Sequence, residues 1–306
     1  MCTPAAAFEA FSTATTFRGI TNAFFQLCLT LDVDPTDHKN VYESIHQLDC
    51  WKAQKLFKLL DKRRQQAEYR GNEAAPAFNV MVIGAGPCGL RAAIECALLG
   101  CRTVVLEARD KFSRNNVLHL WEFVIADLKG LGAKFFYPKF CTGSIEHISI
   151  RQLQCTLLKV ALLFGVQVYD SVSFKQLLLP TEETPVEGSG YRALLEPADH
   201  ILSSYEFDVL IGADGKRNTV PGFPREEMRG KLAIGITVNF VNKKSYEEER
   251  VPEISGVAYI FNQTFFKEMY EVTGVSLENI VYYKDETHYF VMCAKKSSLL
   301  EQGVIK

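Results

Sequence analysis

None of the nine cysteines in this sequence is spaced C-x-x-C from another. The count is odd, and the chain is too long to need a disulfide staple. The simplest expectation is reduced, mostly buried thiols in a reducing compartment, with no zinc site. Long apolar runs are missing too. Val160 to Val166 is far too short to cross a bilayer. Met1 to Cys28 holds no basic region followed by an apolar stretch, so it does not read as a signal peptide. The expected location is the cytoplasm, with the nucleus as the alternative. Neither charge sign dominates. A net charge of -2 gives no bulk attraction to nucleic acid or to an anionic membrane.

What is present suffices for a large core: 306 residues, 47% of them hydrophobic. Residues 1–76 read as a helical segment. Phe8, Phe11, Phe17, Phe24, Phe25, Leu27 and Leu29 are spaced for buried helical faces. Trp51, Leu56, Leu59 and Leu60 mark a further amphipathic helix. Its other face carries Lys52, Lys55, Lys58, Lys62, Arg63 and Arg64 and is expected to be mostly solvated. Tyr69 to Ala77, small and polar, reads as a linker.

Residues 77–220 alternate strand and helix. Phe78–Ile83 is a short apolar run typical of a buried parallel strand, Leu90–Leu99 has helical spacing, and Thr103–Leu106 is the next strand. Ser149–Phe164 reads as a helix and Val166–Tyr169 as a strand. A Pro/Gly-rich loop at Pro180–Gly190 precedes strands at Tyr191–Leu195 and Glu206–Ile211. Residues 221–306 read as β-rich. Strands are expected at Gly230–Val241, Gly256–Phe261, Asn279–Tyr283 and His288–Cys293, the last two joined by the turn Lys284-Asp285-Glu286-Thr287.

Gly84-Ala85-Gly86-Pro87-Cys88-Gly89 fits G-x-G-x-x-G between a predicted strand and a predicted helix. Gly84 permits the tight turn, Gly86 lets a pyrophosphate approach the backbone, and Gly89 lets helix and strand pack closely. The helix start adds free N–H groups and a positive dipole end. Glu107 ends the next strand, where a carboxylate can accept from ribose hydroxyls and would repel a 2′-phosphate. FAD or NAD therefore fits this site and NADP does not.

A second strand runs into Gly212-Ala213-Asp214-Gly215. An Asp-Gly turn alone is common. Behind the first motif it resembles the second motif of flavoprotein hydroxylases of the p-hydroxybenzoate hydroxylase type, which favours FAD and singles out Asp214.

Three longer runs are more specific: Phe112 to Trp121, Gly143 to Gln154, and Leu277 to Phe290. With the helical start around Trp51-Lys52-Ala53 they resemble the MICAL flavin monooxygenases over nearly the whole chain. The resemblance implies an α/β fold with a FAD-binding Rossmann-type domain, an N-terminal helical segment and a β-sheet substrate domain. It implies FAD, NADPH and O2 as reactants and filamentous actin as partner, whose methionines are oxidised to the sulfoxide with filament disassembly. It maps FAD contacts onto Cys88, Glu107, Arg109, Arg114, Asn116, Phe174 and Tyr289.

Taken without the resemblance, Arg109 and Arg114 are surface ion-pair formers, Asn116 is a turn cap, and Phe174 and Tyr289 are core aromatics. Glu122 and Pro138 depart from the family pattern. No protein nucleophile is needed, because the cofactor carries the oxidation. His119, His147 and His288 are expected to be buried and hydrogen-bonded rather than catalytic. The family pattern also calls for a later Gly-Asp strand end, and none of the 20 glycines is followed by aspartate. The chain is thus expected to be incomplete at its carboxy-terminal side and nearly inactive alone. An aromatic hydroxylase of the same fold, or a non-catalytic module binding actin or another partner, are the alternatives.

Overall fold

The computed structural model describes residues 3–136, 147–180, 190–228, 234–254, 260 and 262–306. The chain forms two compact units. The first comprises Met1–Ser113, Trp121–Pro138 and Arg151–Pro224; the second comprises Arg114–Leu120, Lys139–Ile150 and Arg225–Lys306.

The first unit opens with four helices, α1 (Pro4–Thr13), α2 (Phe17–Thr30), α3 (Asn40–His46) and α4 (Trp51–Arg64). Thr3 and Thr16 cap the first two by accepting from the Ala6 and Gly19 N–H groups. Phe8, Phe11, Phe17, Phe24 and Leu27 are buried as their spacing predicts. Phe25 and Leu29 are not, because the buried stripe of α2 runs through Ile20, Phe24, Leu27 and Cys28 and leaves them on the far side. On α4 the buried face is Ala53, Leu56, Phe57 and Leu60, so Trp51 and Leu59 turn outward. Much of its basic face is paired rather than merely solvated. Lys52 meets Glu9, Arg63 meets Asp127, and Arg64 meets Glu43 while lying over the Tyr42 ring.

The expected linker is fastened down. Tyr69 is buried, and its hydroxyl donates to Glu95 at 2.7 Å. The Ala75 N–H donates to the Leu99 carbonyl. A four-stranded parallel sheet follows, made of β1 (Asn79–Ile83), β2 (Arg102–Leu106), β5 (Gln167–Tyr169) and β8 (Val209–Gly212) in the order β5-β2-β1-β8. Helix α5 (Pro87–Leu98) links β1 to β2. Helices α6 (Glu122–Gly130) and α7 (Ala133–Phe136) come next, and α8 (Ile150–Leu163) precedes β5. One face of the sheet (Met81, Ile83, Val104 and Leu106) packs with Val172, Phe174, Leu195 and Phe207. That layer includes a hairpin the sequence pattern only half reveals, β6 (Ser173–Leu178) with β7 (Arg192–Glu196).

The second unit holds an antiparallel sheet of β9 (Gly235–Val241), β10 (Leu277–Lys284) and β11 (Thr287–Ala294), in the order β10-β11-β9. It also holds a short pair of strands, β3 (Val117–His119) with β4 (His147–Ser149). Its core is small: Phe266, Leu277, Ile280, Ala294 and Leu299. The helix Gln263–Thr273 supplies Phe266 and has no counterpart among the expected elements. The expected strand Gly256–Phe261 lies, but for Ile260, outside the described residues, as does Pro138. Glu122 opens α6 in the first unit, where a carboxylate suits the dipole.

Candidate dinucleotide site

Strand β1 has β2 on one side and β8 on the other. The chain thus reverses its winding direction at β1, and the carboxyl ends of β1 and β8 bound the crevice where such sheets bind ligands. Three motifs meet there within the first unit. The Gly84 N–H donates to the Leu106 carbonyl at 2.7 Å, and the Ala213 N–H donates to the Ile83 carbonyl at 2.8 Å. The glycine loop, the end of β2 and the Gly-Ala-Asp-Gly turn are therefore stitched together by backbone.

Each glycine has its own steric reason. Gly84 sits at φ +100°, and a Cβ there would lie 2.7 Å from the Ala213 carbonyl oxygen. A Cβ on Gly89 would lie 2.0 Å from the Gly84 carbonyl oxygen, so only hydrogen lets α5 pack on the loop. Gly86 differs: the nearest atom to its Cβ position is Ala213 O at 3.8 Å. Space is left beside the loop at the one glycine of the three expected to let a ligand approach. Cys88, exposed, lies in the first turn of α5. First-turn N–H groups have no partner within their own helix.

Glu107 is half-buried at the end of β2. Its Oε2 accepts from the Ala85 N–H at 3.0 Å and its Oε1 from the Arg109 N–H at 3.1 Å. Each carboxylate oxygen keeps a lone pair for a further donor. Asp214 turns into its own loop, where one oxygen accepts from the Thr219 N–H at 3.0 Å and the Thr219 hydroxyl at 2.7 Å. Arg109 is exposed, and its carbonyl accepts from the Ser171 N–H. Phe174 lies in the hydrophobic layer under the sheet.

Arg114, Asn116 and Tyr289 belong to the second unit. Arg114 and Asn116 are exposed, and the Asn116 carbonyl accepts from the Ile150 N–H at 2.9 Å. Tyr289 is buried in β11, and burial pushes its phenol up from the ordinary tyrosine range. His147 is buried and stacked on Tyr283 at 3.9 Å, beside a cavity of about 20 Å³, room for one water. His288 bridges the Tyr282 hydroxyl (2.7 Å) and Glu248 (3.2 Å). His119 departs from expectation and is exposed, being the last residue of a three-residue strand.

One participant carries little sequence signal. Gln154, buried in α8, donates to the Ala85 carbonyl at 2.8 Å. Its only mark in the sequence is a lone amide inside an otherwise apolar helical face.

A cradle of three sterically distinct glycines, a helix start and a strand-end carboxylate fits the ADP half of a dinucleotide. The fold is thus mixed α/β with a FAD-binding Rossmann-type domain. Residues 79–118 match the family model of the FAD binding domain, and residues 232–306 match that of the Mical Rossman domain. The mouse protein named [F-actin]-monooxygenase MICAL2 is 58% identical over 97% of this chain. The zebrafish protein named protein-methionine sulfoxide oxidase mical3a is 56% identical over 97% of it. The chain belongs to the MICAL family. It spans 15% of the length of either relative. Among solved structures, 2-methyl-3-hydroxypyridine-5-carboxylic acid oxygenase aligns with a TM-score of 0.47 at 18% identity, over 71% of this chain and 58% of that one.

Proposed function

We propose that this chain supplies the adenosine–pyrophosphate side of the flavin site of a monooxygenase. That enzyme uses FAD, NADPH and O2 to oxidise methionines of filamentous actin to the sulfoxide, in the cytoplasm at the actin cytoskeleton. The cradle around Gly86 carries the reading. Space, first-turn N–H groups and the Glu107 carboxylate lie together at the switch point of the sheet. The names of the relatives supply the substrate.

Bound flavin supplies the redox chemistry. The residues of this chain bind and orient. The α5 start and the loop N–H groups would meet the pyrophosphate, and Glu107 the ribose hydroxyls. Arg109, Arg114, Asn116, Phe174, Asp214 and Tyr289 are the further candidate contacts. NADPH is a second, transient partner, since Glu107 disfavours a 2′-phosphate in this first site.

The test is direct. FAD is titrated into the 306-residue chain and followed by flavin fluorescence. NADPH oxidation is then measured with filamentous actin and, separately, with a panel of phenols. Binding of FAD with at most slow, actin-dependent NADPH oxidation is expected. Absence of FAD binding by the folded chain overturns the cofactor reading, and turnover with phenols but not actin overturns the substrate reading.

A further inference from the structure

Helix α8 is buried from Leu153 to Leu163, so every polar side chain on that stretch must find a partner inside the protein. Two directions are served. Toward the amino-terminal helices, Lys159 donates to the Ser12 carbonyl at 2.6 Å, and Arg151, just before the buried stretch, donates to the Thr15 carbonyl at 2.6 Å. Toward the nucleotide loop, Gln154 donates to the Ala85 carbonyl.

Ala85 is thereby held at both of its backbone groups. Its N–H goes to Glu107 at 3.0 Å and its carbonyl takes the Gln154 amide at 2.8 Å. The peptide joining Ala85 to Gly86 is planar and trans. A carbonyl turned toward α8 therefore obliges the Gly86 N–H to point the opposite way, away from α8. Gly86 itself cannot set this orientation: glycine has the widest choice of backbone angles, and its surroundings are open.

We propose that Gln154 is a positioning residue for the dinucleotide loop. It fixes the Ala85–Gly86 peptide plane so that the Gly86 N–H is pre-oriented for a pyrophosphate oxygen. The proposal rests on the flavin reading above for the identity of the ligand. The orientation of the peptide is a property of the chain itself. Without the Gln154 amide the Ala85 carbonyl is a buried acceptor lacking its donor, and the plane can turn to seek another. A loop that must be reordered on binding binds more weakly than one held ready.

Gln154→Leu and Gln154→Met remove the amide while keeping the side chain close to its original volume. In the 306-residue chain two quantities are read: the FAD dissociation constant by flavin fluorescence, and the exchange rate without FAD of the Ala85 amide, which is held on Glu107. Thr156→Val serves as a control, a buried hydroxyl of the same helix that donates to the Gln152 carbonyl of its own turn. The Gln154 variants should fold, bind FAD about tenfold more weakly, and exchange the Ala85 amide faster, while Thr156→Val changes neither. Folded variants with parental affinity and parental Ala85 exchange overturn the proposal. Unfolding of both Gln154 variants also overturns it, because the amide then serves core stability and not the loop. Failure of the parental chain to take up FAD sinks the flavin reading alone, since the Ala85 exchange still decides the positioning claim.

Discussion

The two compact units of this chain bury their strands in different ways. In the first, four of the five residues of β1 and four of the five of β2 are buried. At β1 and β2 the parallel sheet is covered on both faces, so neither face tolerates bulk there; the edge strand β8 has no buried residue. In the second, β9 has no buried residue, β10 has three of eight buried and β11 two of eight. One face of its antiparallel sheet packs on the small core around Phe266 and Leu299, and on the other face Tyr289 is buried and Tyr283 stacks on His147. Where backbone approaches backbone, as in the glycine loop, one added methyl group meets an atom that cannot rotate away. Where side chains rather than backbone meet, neighbours have room to relax.

Gly89→Ala carries the largest expected effect. The added Cβ would lie 2.0 Å from the Gly84 carbonyl oxygen, which is backbone. A loss of about 3 kcal/mol or more is expected in urea unfolding, the upper end for overpacking. A parental midpoint would show that α5 can shift away freely. Leu277→Ala tests the other unit. Leu277 is buried in the small core, and about 2–3 kcal/mol is expected, toward the low end for a large-to-small change because the half-buried side chains around it can collapse into the gap. A cost above that of Gly89→Ala would reverse the comparison.

Lys159 sharpens it from inside the first unit. Burial lowers its ammonium to about 8, with the Cys155 thiol acting in the opposite direction. The folded state releases the proton before the unfolded state does. Between about pH 8 and the ordinary lysine value of 10.5 the unfolded chain therefore binds more protons, and stability attributable to this group rises with pH. Thermal unfolding of the parent relative to Lys159→Met should shift in favour of the parent across that window; a flat difference would contradict the buried charge.

Ser245→Ala removes a capping box at the mostly exposed helix Tyr246–Arg250. The expected cost is about 1 kcal/mol, read from exchange of the Glu248 and Glu249 amides. Backbone N–H donation from Ser245, foremost among several hydrogen bonds, holds the Glu248 carboxyl down at about 2. Its folded value is depressed, so the stabilisation is complete above the ordinary value of 4.5 and fades as pH falls toward 2. Unchanged exchange in Ser245→Ala would remove the box from the account. Smallest in stability is Gly86→Val. The site is open, and its φ of -70° with ψ of 170° suits a branched residue, so the change in stability should stay within about 0.5 kcal/mol. FAD binding should nonetheless be lost. Retained binding would mean that no ligand approaches the loop there.

Much of the nucleotide half is legible in the amino-acid sequence alone. Short apolar runs bounded by glycine mark β1 and β2. The helix expected at Ser149–Phe164 is Ile150–Leu163, and the motif spacing places Glu107 beside the loop. These features are local: periodicity, turn chemistry and distance along the chain determine them. The short strands β3 and β4 and the hairpin partner β6 are not legible, because a three-residue strand or a half-exposed one has no period to read.

The class of fold, the glycine loop and the acid beside it follow from local pattern along the chain. The sequence also carried the resemblance to the family. Packing between distant segments selects which face of α2 and α4 is buried, leaving Phe25, Leu29, Trp51 and Leu59 exposed. The same holds for the difference between Gly86 and Gly89 and for the Gln154 amide held against Ala85, 69 residues away in the chain. The reason is physical. A helix with apolar residues on more than one face has several orientations of similar local energy, and a buried amide has no local signature of its partner. Both are settled when distant segments exclude water from the same space and leave each polar group a single donor or acceptor to meet.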